Sequence, residues 1–251
     1  MAALTVGMAL FVAVEVGFHQ WRSWNVGPVQ RGLRAASARG CFTCHGPGGV
    51  TGLADAGTGI GDVPPFSREE VRSSAHDEGE IREWILDGAP RRLREIGGTD
   101  AAPPLLRMPA WREVLSGREV DDLVAYVKAV SDFDLPPEGP IDEGRQVAVK
   151  RGCFSCHGPQ GRGNAPNPGS LKGYIPSWDG GDFPELARDE TEVREWILDG
   201  SPRRLRDNRL AQFFLQRQVL QMPGYRGRLT DDEVARLLDY IRWLRTVPPD
   251  A

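Results

Sequence analysis

Two stretches of the chain carry a clear helical pattern. Val120, Leu123, Val124 and Val127 fall on one face at helical spacing, and Val234, Leu237, Leu238 and Ile241 repeat that spacing. Each run follows a capping box, Ser116-x-x-Glu119 or Thr230-x-x-Glu233, in which the hydroxyl accepts from an orphan N–H while the glutamate reaches back. Further helices are expected to end at Gly88 and Gly200, since glycine takes the left-handed conformation that closes a helix. No strand-like alternation of useful length is present. The stretches 46–65 and 158–176 are rich in Gly and Pro and read as loops. The pattern predicts an all-α protein whose long loops need a bound group to order them. Residues 2–18 form an additional apolar segment, expected as an N-terminal helix, with Trp21, Arg22 and Trp24 just beyond it.

The patterned segments recur. Arg82-Glu83-Trp84-Ile85-Leu86-Asp87-Gly88 returns as Arg194-Glu195-Trp196-Ile197-Leu198-Asp199-Gly200, and Pro90-Arg91-Arg92-Leu93-Arg94 as Pro202-Arg203-Arg204-Leu205-Arg206, both displaced by 112 residues. Beyond that point the offset is 114, so the second copy holds a two-residue insertion, and Met108-Pro109 aligns with Met222-Pro223. The chain is a tandem duplication. Its 251 residues suit two domains of about a hundred residues each plus an extension. The expected division is an anchor or signal-like segment at 1–20, a first domain at 21–133, a linker at 134–140 and a second domain at 141–251. Pro136, Pro137 and Pro140 make the linker short and stiff.

The net charge of −4 divides unevenly, −5 over residues 1–140 and +1 over residues 141–251. Neither half has the basic excess of a nucleic-acid binder, and the asymmetry suggests different partners for the two domains.

All four cysteines belong to two copies of Cys-x-x-Cys-His, Cys41-Phe42-Thr43-Cys44-His45 and Cys153-Phe154-Ser155-Cys156-His157. The spacing suits c-type haem: each thiol adds to one vinyl group of a porphyrin, and the adjoining histidine is held beneath the iron. The competing readings are a four-cysteine zinc site and a redox dithiol. The first would join pairs 112 residues apart and leave both histidines without a role, and the second expects a βαβ pattern that the chain lacks. Two covalent haem c groups, with their iron, are the expected cofactors.

Of the four methionines, Met1 and Met8 lie in the apolar segment, leaving Met108 and Met222, one per repeat. A single methionine is ordinarily a packing residue. One that recurs at the equivalent place after each haem motif is read as the second axial ligand, so the metal ligands are His45 and Met108, and His157 and Met222. His/Met ligation raises the potential of a haem and fills both axial positions, which suits electron transfer rather than substrate binding. His19 and His76 are not repeated; Arg188 stands where a copy of His76 would fall, and both histidines are read as solvated.

In its order of elements the chain resembles the class I cytochrome c family: a Gly-bearing helix leading to Cys-x-x-Cys-His, a loop and short helix, a Met-Pro loop, and a closing helix with an aromatic residue. The resemblance spans residues 27–247. It implies a close crossing of first and last helices, Gly32 against Tyr126 and Gly144 against Tyr240. It also implies a proline carbonyl that accepts from the proximal histidine, for which Pro64 and Pro176 are the shared candidates, because residues 50–63 contain no proline. Trp84, Trp196, Arg91, Arg92, Arg203 and Arg204 are candidate donors to haem propionates; the plainer reading makes the tryptophans core aromatics and the arginines solvated surface.

The apolar segment lacks the basic start and small-residue cleavage site of a signal peptide, and its tryptophans suit a membrane interface, so an uncleaved anchor is expected. Haem c is attached outside the cytoplasmic membrane, which places the domains on the periplasmic face. The expected function is a membrane-anchored electron carrier between a protein donor and a protein acceptor, within a multi-subunit respiratory or photosynthetic complex. The alternatives are a dihaem enzyme such as a peroxidase, with one iron open to substrate, and a free periplasmic shuttle.

Overall fold

The computed structural model describes residues 7–8, 11–17, 26–55, 57, 61–95 and 105–247. Their chain divides into two compact units, Pro28–Glu138 and Gly139–Thr246, the second also holding the described residues up to Gly27. Both are helical. Among the described residues the only β pairing is two isolated bridges, Leu53 with Val63 and Pro166 with Tyr174.

The first unit is built on α1 (Pro28–Ala38), α2 (Glu78–Asp87) and α3 (Gly117–Val130). The capping box at Ser116 is formed in both directions. The α2 helix begins on Asp77, whose carboxylate accepts from Glu80 N–H, and ends on Gly88 at φ 76°. The apolar stripe of α3 is buried, with Val120, Leu123 and Val124 packed among Ala36, Val71, Ile81 and Ile85. The outer helices cross where Gly32 meets α3. A Cβ on Gly32 would lie 1.9 Å from the carbonyl oxygen of Asp122 and 2.7 Å from Tyr126 Cβ. A hydrogen at this point is what lets the two backbones touch.

The second unit repeats the plan with α4 (Pro140–Lys150), α6 (Glu190–Asp199) and α8 (Asp231–Thr246). A Cβ on Gly144 would lie 2.0 Å from the carbonyl oxygen of Arg236 and 2.9 Å from Tyr240 Cβ. Thr230 and Glu233 exchange the two capping-box hydrogen bonds, and Asp189 caps α6 as Asp77 caps α2. The single turn α5 (Phe183–Leu186) repeats the end of the first unit's helix Arg68–Ser74, 112 residues on, and the second unit also holds α7 (Arg209–Arg217). The α7 helix is not evident in the repeat pattern, although Asn208, which accepts from the Leu210 and Ala211 N–H groups, marks its start.

Of the N-terminal apolar segment, residues 7–8 and 11–17 are described. Residues 11–17 are helical, and Met8, Phe11, Val12, Val14 and Val16 are exposed. No helix among the described residues is long and apolar enough to cross a membrane.

Candidate haem-binding sites

Each Cys-x-x-Cys-His motif follows the first helix of its unit through a tight turn. Cys41 N–H donates to the Ala36 carbonyl and Cys153 N–H to the Ala148 carbonyl, and a single helical turn then carries the second cysteine and the histidine, Phe42–His45 or Phe154–His157. Within that turn the His45 and His157 N–H groups bond back to the Cys41 and Cys153 carbonyls. The helical arrangement holds both thiols and the imidazole of one motif together without help from distant residues. All four cysteines are free of disulfides. Burial pushes the Cys41 and Cys153 thiols up from their ordinary values, so they stay protonated at neutral pH.

The loop after each motif returns a proline carbonyl to the histidine. His45 Nδ1 lies 3.1 Å from the Pro64 oxygen and His157 Nδ1 lies 3.2 Å from the Pro176 oxygen. This contact assigns the ring proton to Nδ1 and leaves Nε2 with its lone pair, the state a metal ligand needs. Burial lowers both histidines from their ordinary value, His157 to about 4, against the opposing pull of the carbonyl. Both rings are therefore neutral at physiological pH. Phe66 and Trp178 pack on them, with ring centroids 4.6 and 5.1 Å away.

The methionine loops are fixed from the other side. Trp111 and Arg112 N–H donate to the Ile85 and Leu86 carbonyls, and Tyr225 and Arg226 N–H donate to Ile197 and Leu198. The last carbonyls of the middle helix thus hold the chain just beyond Met108 and Met222. Gly88 and Gly200 admit the loop: a Cβ on either would stand 2.4 Å from the methionine carbonyl oxygen.

In the second unit these pieces surround a cavity of about 410 Å³, lined by Cys153, Cys156, His157 and Met222 and otherwise mostly by apolar side chains, among them Ala211, Phe214 and Leu215 of α7. That size falls within the ordinary range of cofactor sites. In the first unit Cys41 and Met108 pack against one apolar cluster with Phe42, Phe66 and Trp84. The donor set fits haem c in composition: two thiols for the vinyl groups, an imidazole with a free Nε2, and a thioether. Among the described residues no group of three or more His, Cys, Asp or Glu side chains is placed to hold a bare metal ion.

Residues 141–245 match the family model described as cytochrome c, and residues 28–127 match that of the cbb3-type cytochrome c oxidase subunit III. Both halves are c-type cytochrome domains. The chain is a dihaem cytochrome with tandem domains, each carrying one covalent haem c with its iron, and electron transfer is its function. No significant match was found among curated proteins or among solved structures.

The remaining candidates in this cytochrome sit as follows. Trp196 lines the cavity, but its indole N–H donates to the Leu186 carbonyl at 2.9 Å, and that of Trp84 donates to Ser74 at the same distance. Arg92 is paired with Glu80 at 3.0 Å and Arg204 with Glu192 at 2.7 Å. Arg91 meets Glu95, Arg203 meets Asp207, and neither Arg203 nor Arg204 lines the second cavity. In this geometry the six side chains meet the protein's own backbone and carboxylates, and Arg92 and Arg204 brace the middle helix. His76 is mostly exposed beside Glu80, and His19 lies outside the described residues. The cavity wall supplied by α7 and a buried phenol–carboxylate pair, Tyr174 with Asp182, are site features that the repeat pattern does not reveal, because their residues are not repeated in the first copy's sequence.

Proposed function

We propose that this cytochrome is a membrane-anchored electron-transfer subunit, placed on the periplasmic face, that relays electrons between a protein donor and a multi-subunit oxidase. Haem c, when bound, would supply a one-electron iron couple. The chain's own residues do the rest. Cys41, Cys44, Cys153 and Cys156 tether the groups, His45 and His157 supply the proximal nitrogen, and Met108 and Met222 supply the thioether. The Pro64 and Pro176 carbonyls hold each imidazole in orientation, and the apolar side chains of the second cavity exclude water from its cofactor.

The observation that carries the electron-transfer half of this reading is the doubled arrangement itself: both domains hold a histidine by a proline carbonyl and a methionine loop by the end of the middle helix. Two sites built on the same plan suit relay, whereas a dihaem peroxidase needs one iron open to substrate. The match of residues 28–127 to an oxidase subunit supports the choice of partner. The exposed side chains of Met8, Phe11, Val12, Val14 and Val16 support the anchor.

The test is extraction of native membranes in mild detergent, following haem absorbance through size separation. Co-migration with an oxidase assembly is the expected result. Recovery of the chain alone, or in the fraction that needs no detergent, overturns the anchored-subunit reading and returns the free carrier or the dihaem enzyme.

A further inference from the structure

The two domains differ in one buried feature. In the second, the loop from Asn164 to Asp182 carries a set of buried polar side chains, including Lys172, Tyr174, Ser177 and Asp182. Tyr174 lines the haem cavity, and its hydroxyl donates to Asp182 Oδ2 at 2.8 Å. Asp182 has no exposed surface at all. Its Oδ1 is buried with no hydrogen-bond partner outside its own residue. The Ser177 hydroxyl, likewise buried and unpartnered, and Asp182 Oδ1 flank the same point, 2.8 and 2.9 Å from where a Cβ on Gly180 would stand. A carboxylate so placed is undersatisfied, and a carboxylic acid is the form that such surroundings favour.

The first domain has no counterpart. At the same offset the positions of Tyr174 and Asp182 are held by Asp62 and Glu70, both exposed. Asp62 accepts from the Asp55 N–H at the surface.

We propose that Asp182, coupled to the cavity through Tyr174, is a proton-linked site that makes the potential of the second haem, and not of the first, depend on pH. On oxidation one electron leaves to the protein acceptor and the domain gains a unit of positive charge. Asp182 then loses the proton of its carboxyl group to solvent, the bonding pair staying on oxygen as the carboxylate. Reduction by the donor reverses both transfers, so charge in the domain is held nearly constant. The physical reason is Coulombic: positive charge in a poorly solvated site favours the anion nearby.

The groups facing Asp182 are consistent with this role. Burial raises its pKa, while the Tyr174 hydrogen bond and the Lys172 ammonium pull it down and Glu185 pushes it up. Lys172 lies 3.1 Å from Glu185, Arg162 is paired with Asp179, and Arg245 of α8 donates to the Trp178 carbonyl with its guanidinium over Phe183. The cations near Asp182 thus each have a partner, and the net local charge changes chiefly at the carboxyl and the haem. The inference requires only that the second domain carries its haem.

Two measurements on the intact holoprotein test it. In redox-difference infrared spectra of the wild type, a carboxylic acid C=O band is lost on oxidation and returns on reduction, and that band is missing in Asp182→Asn. In potentiometric titration, one of two waves falls by about 59 mV per pH unit, a tenfold change in proton activity per electron, and is flat in Asp182→Asn. Tyr174→Phe keeps the slope but moves its pH window upward, because the carboxylate loses its donor. The proposal is overturned if the wild type shows no such band, if the band survives in Asp182→Asn, or if the sloping wave is unchanged in both variants. Met222→Ala identifies the wave of the second domain. Should that variant shift neither wave, the methionine assignment fails while the infrared band still decides the role of Asp182.

Discussion

The Nδ1 atom of His157 and the carbonyl oxygen of Pro176 stand 3.2 Å apart, and His45 and Pro64 repeat the relationship at 3.1 Å. The partners are 19 residues apart in both copies, so the loop between them acts as a fixed arm that orients the ring. An imidazole that donates from Nδ1 is a stronger ligand through Nε2 and favours the oxidised metal. Replacing Pro176 with glycine keeps the carbonyl but loosens its position. Pro176→Gly is expected to raise the potential of the second haem by up to about 59 mV, a tenfold shift in redox equilibrium, leaving the first unchanged. A two-wave potentiometric titration checks this, and two unmoved waves would remove the carbonyl from the tuning of the site.

The methionine assignment makes the opposite prediction. Met108→Ala and Met222→Ala should each leave covalent haem attached and lower the potential of one haem only, by at least the same tenfold step of about 59 mV. Haem content by covalent staining together with the titration decides it. A variant whose titration overlays the parent contradicts the assignment for that domain.

The helix crossings at Gly32 and Gly144 predict a stability effect independent of redox chemistry. The nearest atoms to an added Cβ are backbone carbonyl groups of Asp122 and Arg236, which have no rotamer by which to retreat. Gly32→Ala and Gly144→Ala should therefore destabilise their domains by about 1–3 kcal/mol or more. Gly117→Ala is the control, since nothing lies within 4 Å of its added Cβ. Chemical denaturation of the holoprotein should separate the two crossing variants from this control.

The braced middle helix predicts an acid dependence. Arg204 holds the Glu192 carboxyl down at about 2, and a second bond from the Arg188 N–H acts in the same direction. A carboxylate with a depressed folded-state pKa stabilises the fold above its unfolded value and loses that contribution as pH falls through the folded value. Arg204→Gln should thus be less stable than the parent at pH 7, with the gap closing between about pH 4.5 and about 2. Denaturation midpoints measured across that range check the trend, and a gap that stays constant with pH would exclude the ion pair as its origin.

Much of this arrangement is legible in the residues. The capping boxes at Ser116 and Thr230 and the glycines that close the middle helices follow from short spacings that occur twice, while the Gly32 and Gly144 crossings and the proline carbonyls follow from the resemblance to class I cytochrome c. Repetition separates these positions from background, since a local geometry copied intact leaves the same residues at the same offset. The arginines and tryptophans show the limit of that argument. Arg204 and Trp196 are repeated as faithfully as His157, yet their donors meet Glu192 and the Leu186 carbonyl. Duplication preserves a residue's position without stating which neighbour its side chain will choose.

By itself the chain determined two haem motifs, two methionines, a helical class and a duplicated order of elements, because attachment and capping depend on residues within a few positions of one another. Only the tertiary structure decided what long loops bring together: the α7 wall of the second cavity, the Tyr174–Asp182 pair whose phenol lines that cavity, and the ion pairs that engage Arg92 and Arg204. These depend on burial and on the direction of side chains after packing. Neither is a property of any residue until the helices have crossed.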